Sequence, residues 1–203
     1  MGLFDNLKQQ AERKVAGAAG NAAANMVGKA VNAATGKDQR WNIVLPSMPE
    51  NLAQLQAMPG ADLKDPAQVA ALTVVALCVY PVNKDACIEM LNYLKGPKPL
   101  TAYEIQFLRD RFMDGKDYVP RSYLAGTSPQ NNYIPTEPYT VAVHENPYSR
   151  DNEGYLVLWL KSSGADSERQ ITLRNKPSTG EWFLWDQMLL GDIRIPVAAD
   201  PWA

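Results

Sequence analysis

One histidine, His144, and two cysteines, Cys78 and Cys87, are the side chains of this 203-residue chain best suited to act as base, nucleophile or soft metal ligand. A hydroxyl–imidazole or thiol–imidazole pair needs a fold that sets the ring beside its nucleophile. The run Tyr139-Thr140-Val141-Ala142-Val143-His144-Glu145 alternates as a strand does and puts His144 at its end, on the face of Thr140 and Ala142. A histidine in that setting reads as a half-exposed strand residue. The cysteines lack a C-x-x-C partner and fall at apolar helical positions, which reads as two buried thiols. One histidine and two such thiols are too few ligands for zinc. Asp110, Asp114 and Asp117 around Gly115 imitate a calcium loop, but the alternate oxygen ligands and closing glutamate of an EF-hand are missing. Phosphate-loop, dinucleotide and G-x-S-x-G patterns are absent as well. These residues therefore assign no catalytic position, no metal and no cofactor.

The composition that serves recognition is concentrated elsewhere. Between Lys116 and Gly154 lie five of the nine tyrosines and five prolines, with over twenty residues of non-periodic chain before the Tyr139 strand. Flat amphipathic rings beside adaptable polar groups suit a binding surface, and long ordered loops are often functional. Arg121, Tyr123, Asn132, Tyr133 and Tyr148 are the binding candidates, with Asn131 and Arg150 beside them. The competing reading is a proline-braced cover for one side of a sheet, with the tyrosines packed beneath it.

Residues 1–38 form a second stretch of distinct character. They contain no proline, five glycines and many alanines, and their apolar residues recur at three- or four-residue steps. Leu3, Phe4, Leu7 and Val15 beside Lys8, Arg13 and Lys14 make a weak amphipathic helix. Three uses fit it: a membrane-surface contact, self-association, or a tail. Residues 1–40 hold six Lys/Arg against three Asp/Glu, leaving 14 against 19 in residues 41–203. An acidic main domain is poorly suited to gripping nucleic acid.

The elements that must position these groups are legible in order. Asp65 caps and Pro66 opens a helix running to Tyr80 that is apolar on every face, the mark of a core helix. Before it, Trp41–Pro46 reads as a brief extended segment, and Ser47-Met48-Pro49-Glu50 as a capping box for a short helix carrying Leu52, Leu55 and Met58. Asn83 caps a third helix with Cys87, Met90, Leu91 and Leu94 on one side, stopped by Gly96 and Pro97. Thr101 and Glu104 box the start of a fourth, with Ile105, Leu108 and Phe112 inward. Strands follow at Tyr139–Glu145, Tyr155–Lys161, Arg169–Arg174 and Glu181–Trp185, separated by Gly-bearing turns. Helices first and strands second predict an α+β fold: a helical unit around a buried central helix, packed on a four-stranded antiparallel meander, with a separate N-terminal helix. The organisation expected is an N-terminal unit over 1–38 and a single domain over 39–203.

Several stretches carry a family resemblance. They are Leu94-Lys95-Gly96-Pro97, Asp114 to Tyr123, Glu145-Asn146-Pro147-Tyr148, Ser162 to Ser167, and Lys176 to Trp185. Through them residues 41–203 resemble an uncharacterised bacterial domain of unknown function, and the N-terminal segment resembles the Ala/Gly-rich amphipathic leaders of small bacterial proteins. The resemblance implies no catalytic residues.

The function expected is that of a non-enzymatic binding or adaptor domain, localised or oligomerised by its N-terminal helix. A small-ligand-binding domain, or a hydrolase using carboxylates or His144, is the alternative. A protein partner is expected and nucleic acid is not; residues 1–38 would add a weak contact with anionic membrane or a homo-oligomer interface. Two cysteines and no signal-sequence pattern point to the cytoplasm, with peripheral attachment at the inner membrane face as a refinement.

Overall fold

Helix α2 (Pro66–Val79) organises the core. The Asp65 carboxylate accepts a hydrogen bond from the Ala67 amide at 3.0 Å, and Pro66 occupies the first turn, where its missing N–H costs nothing. Eleven of its fourteen residues are buried. Thr73, the polar member of that set, donates to the Val69 carbonyl at 2.9 Å and so leaves no hydroxyl unsatisfied. The computed structural model describes residues 39–202. The expectations for Leu3, Phe4, Leu7 and Val15 lie outside the described residues.

Around α2 stand α1 (Leu52–Gln56), α3 (Lys84–Lys95) and α4 (Ala102–Arg111). The capping box expected at Ser47 does not form. Pro49 disfavours the helical region for Met48, so the chain cannot turn there. Asn51 caps α1 instead, accepting from the Gln54 amide at 3.0 Å, while the Gln54 side chain reaches back to the Glu50 amide. The box on α4 forms as expected: Thr101 Oγ1 accepts from the Glu104 amide at 3.2 Å, and Glu104 accepts from the Thr101 amide at 2.7 Å. Of the ten residues in α4 only Leu108 is buried, and the inner-face residues Ile105 and Phe112 stay half-buried. That helix leaves much of its apolar surface unused.

The sheet is an antiparallel meander of five strands, each paired with the next: β1 (Arg40–Leu45), β2 (Tyr139–His144), β3 (Tyr155–Leu160), β4 (Arg169–Lys176) and β5 (Glu181–Gln187). The fold is α+β, with one strand more than expected. The stretch read as merely extended pairs with β2 along its whole length, from Arg40 opposite His144 to Leu45 opposite Tyr139. Burial of Ile43 and Leu45 on the core face fixes that register. Leu156, Leu158 and Leu160 of β3 and Ile171 and Leu173 of β4 complete the inner face, which α2 covers. Among the described residues no helix is long and apolar enough to cross a membrane.

Candidate functional site

Proline-rich chain between α4 and β2 forms three short 3-10 turns, at Lys116–Tyr118, Pro120–Tyr123 and Pro129–Asn131, and it is largely an internal brace. Tyr118, Tyr123 and Tyr133 are buried, Tyr133 completely, so Tyr123 and Tyr133 are not available as the binding candidates named from the sequence and instead fit the competing reading of a packed cover. Each donates its hydroxyl to a backbone carbonyl of the segment after β5: Tyr123 to Leu189 at 2.7 Å, Tyr133 to Arg194 at 2.6 Å and Tyr118 to Ile193 at 3.4 Å. Buried rings need such acceptors. Three tyrosines thereby clamp a C-terminal strap whose Leu189, Leu190 and Ile193 enter the core. Gly164 belongs to the same clamp, because a Cβ there would run into the Tyr133 hydroxyl and Ile193. Burial pushes the Tyr123 phenol well above its usual range, the nearby Arg169 charge offsetting this only in part.

The other binding candidates divide. Arg121 and Asn132 line one cleft of about 390 Å³ together with Asp114, Asp117 and Pro196. Arg121 is held there by Asp117 at 3.2 Å, an (i, i+4) pair through one terminal nitrogen, while its buried Nε has no hydrogen-bond partner. Tyr148 is exposed on the turn between β2 and β3 and does not join them. Arg150, on that turn, makes a two-point contact with Glu145, at 2.8 and 2.6 Å.

His144 faces Glu168 at 3.2 Å, and no serine, threonine or cysteine hydrogen-bonds it among the described residues. Burial pushes the thiol of half-buried Cys78 up to about 12, against a small opposing pull from Arg121, and raises that of buried Cys87 further. Both are free and held in the protonated, unreactive form. Among the described residues no group of three or more His, Cys, Asp or Glu is placed to hold a metal.

A different region has the geometry of a site. Between α3, α4 and the edge strand β5 runs a groove of two adjoining compartments, each about 270 Å³. Lys95 and Leu184 line both. Lys95 is 7% exposed; its Nζ donates to Glu104 Oε1 at 2.8 Å and to the Trp185 carbonyl at 3.2 Å. Burial raises the Glu104 carboxyl, but hydrogen bonds from Lys95 and Thr101, with the Lys95 charge, outweigh this and hold it below its ordinary value. This ion pair is the post that divides the groove.

On one side of the post the lining is mostly apolar. Leu77, Leu91, Leu108 and Leu184 make the floor, and half-buried Phe107 with exposed Tyr103 and Met188 makes the rim. On the other side Lys98, Arg174 and Lys176 gather around Phe183 and Trp185, with no acidic residue in the lining. A β-bulge builds this compartment. Thr172 of β4 stands opposite Asp186 and Leu173 opposite Leu184, so Trp185 has no residue across from it and turns outward, 37% exposed. Gly96, at a φ of 59°, ends α3 where any Cβ would strike the Phe183 ring, and so carries the chain directly over β5 to Lys98. Sequence reasoning missed these residues because the end of α3 and the β4–β5 hairpin, far apart in the chain, supply them together. Lys176-Pro177 read as part of a Gly-bearing turn and Arg174 as the last residue of a strand. The bulge was the one feature that would have singled out Trp185, and pairing, not composition, creates it.

No curated protein and no solved structure matches the chain. The sequence pattern of the family described as Domain of unknown function (DUF6935) matches residues 47–197, which include the tyrosine clamp and both compartments of the groove, and the chain belongs to that family.

Proposed function

We propose that the domain is a binding or adaptor module that takes a segment of a partner protein into the groove beside β5. The observation that carries this is the lining of the groove: two compartments that share Lys95 and Leu184, an apolar floor in one of them, and exposed Tyr103 and Met188 on its rim. A compact cofactor is held in a single deep cavity. Adjoining compartments along an edge strand, one with an apolar floor, suit extended or helical chain, whose large side chains become anchors. Helix α4, burying only Leu108, has surface to spare for such a partner. Residues 1–38 would localise or oligomerise the module, a proposal that rests on sequence alone.

The test is site-specific photo-crosslinking in the full-length chain. A photoreactive residue at Met188 should give a discrete protein adduct in cells of the source organism, and Phe107→Ser should abolish it without lowering soluble yield. A photoreactive residue at Val82, exposed but outside the groove lining, is the control. The same adduct from both positions, or an adduct indifferent to Phe107→Ser, would remove the reading.

A further inference from the structure

We infer that the compartment around Trp185 is an anion site, and that it selects partner segments by two or three consecutive carboxylates placed next to a large apolar side chain. This rests on the groove being the partner site. Lys98 Nζ lies 4.5 Å from the Trp185 ring centroid. The Arg174 guanidinium lies 4.6 Å from the Tyr155 centroid and 5.5 Å from that of Trp185. Tyr155 and Trp185 meet edge to face at 5.5 Å and 80°, which fixes both rings. An aromatic face orients a cation without neutralising it. No carboxylate among the described residues forms an ion pair with Lys98, Arg174 or Lys176, as holds for most exposed lysines and arginines of the domain; what sets these three apart is that they line one compartment with no acidic residue in it. Two cations are thus positioned on rings, with Lys176 beside them in the lining, all exposed, in a domain whose acids outnumber its bases.

The neighbouring lining specifies the ligand further. Arg174 offers a planar fork that matches a carboxylate or phosphate at two points. Glu104 of the post and Asp186 beyond it, however, line the adjoining compartment among apolar side chains. A continuous polyanion would run into them, and the acid excess of the domain repels nucleic acid over a Debye length. A short acidic stretch that gives way to apolar residues meets cations first and the apolar floor second. That order of side chains identifies a protein segment.

The probe is a synthetic peptide of three glutamates followed by two leucines and a phenylalanine, titrated into the full-length protein at low and at physiological salt, with tryptophan fluorescence as the readout. Binding should weaken with salt and fall at least about tenfold, or ~1.4 kcal/mol, in the Lys98→Gln/Arg174→Gln double variant at an unchanged Tm. Arg174→Lys should lose part of it, because the charge survives and the fork does not. A glutamine version of the peptide that binds equally well, or full affinity in the double variant, would overturn the inference. So would tighter binding of a single-stranded oligonucleotide. If the peptide fails while the Met188 adduct still depends on Phe107, the anion inference is wrong and the groove reading stands. If the peptide binds with the predicted losses but the adduct is absent, the anion site stands without the partner.

Discussion

The tyrosine loop and the β5 groove are opposite cases of the same side-chain chemistry. Each gathers aromatic rings, basic side chains and backbone turns. In the loop most of these are answered from within: the hydroxyls of Tyr118, Tyr123 and Tyr133 by strap carbonyls, a terminal nitrogen of Arg121 by Asp117 while its buried Nε has no partner, and Arg150 by Glu145. In the basic compartment of the groove Trp185 is exposed, and Lys98 and Arg174 lie on rings without a carboxylate. Composition marks where recognition is chemically feasible. Satisfaction of hydrogen bonds and charges, which only the fold decides, shows where it remains available.

Substitutions should separate the two regions by stability, and the widest gap is between Tyr133→Ala and Arg174→Gln. Removing a fully buried tyrosine leaves a cavity and an orphaned Arg194 carbonyl, so Tyr133→Ala should cost about 3–5 kcal/mol in urea unfolding. Arg174→Gln gives up only exposed cation–π contacts, about 1 kcal/mol or less. Comparable losses would erase the distinction between brace and site. Next in size, Gly164→Ala should destabilise by about 1–3 kcal/mol, because the added methyl meets the Tyr133 hydroxyl and Ile193 in a filled space. A neutral result would mean that the clamp is slack.

The smallest effect concerns the post of the groove. The folded Glu104 carboxyl is held below its ordinary value of 4.5, so its contribution to stability is complete above that value and is lost as pH falls through the lowered one. Glu104 is 37% exposed, so solvent screening keeps the contribution below about 1 kcal/mol. The difference in unfolding free energy between the unaltered protein and Glu104→Gln should be constant from neutral pH down to about pH 5 and shrink below it. A difference that grew with acid would contradict the assigned direction.

Much of the frame could be read from the chain because its signals are local. Asp65-Pro66, Asn83 and Thr101 with Glu104 cap the helices they announce, and alternation in Leu156–Leu160 and Ile171–Leu173 places the inner face. Strand β1 escaped because two buried residues in six, followed by Pro46, make too short an alternation; its identity comes from pairing with residues a hundred positions away. The start of α1 was misplaced because Pro49 silences the Ser47 box. Loop tyrosines left two readings open, surface and cover, for a related reason. A tyrosine that clamps a carbonyl and one that faces a partner look alike until the strap at Leu189–Arg194 is placed. The groove was illegible as a unit, since Lys98, Arg174 and Trp185 meet only through the α3 stop at Gly96 and the bulge in β5.

The contrast between the regions is tested most directly by hydrogen exchange of the full-length protein, alone and with the partner recovered through the Met188 cross-link. In the free protein, amides of 118–133 and 189–194 should exchange slowly, as befits a closed brace. Adding the partner should slow exchange in 95–108 and 183–188 and leave the clamp as it was. New protection confined to Arg121–Asn132, with the groove unaffected, would contradict the account and return the site to the loop.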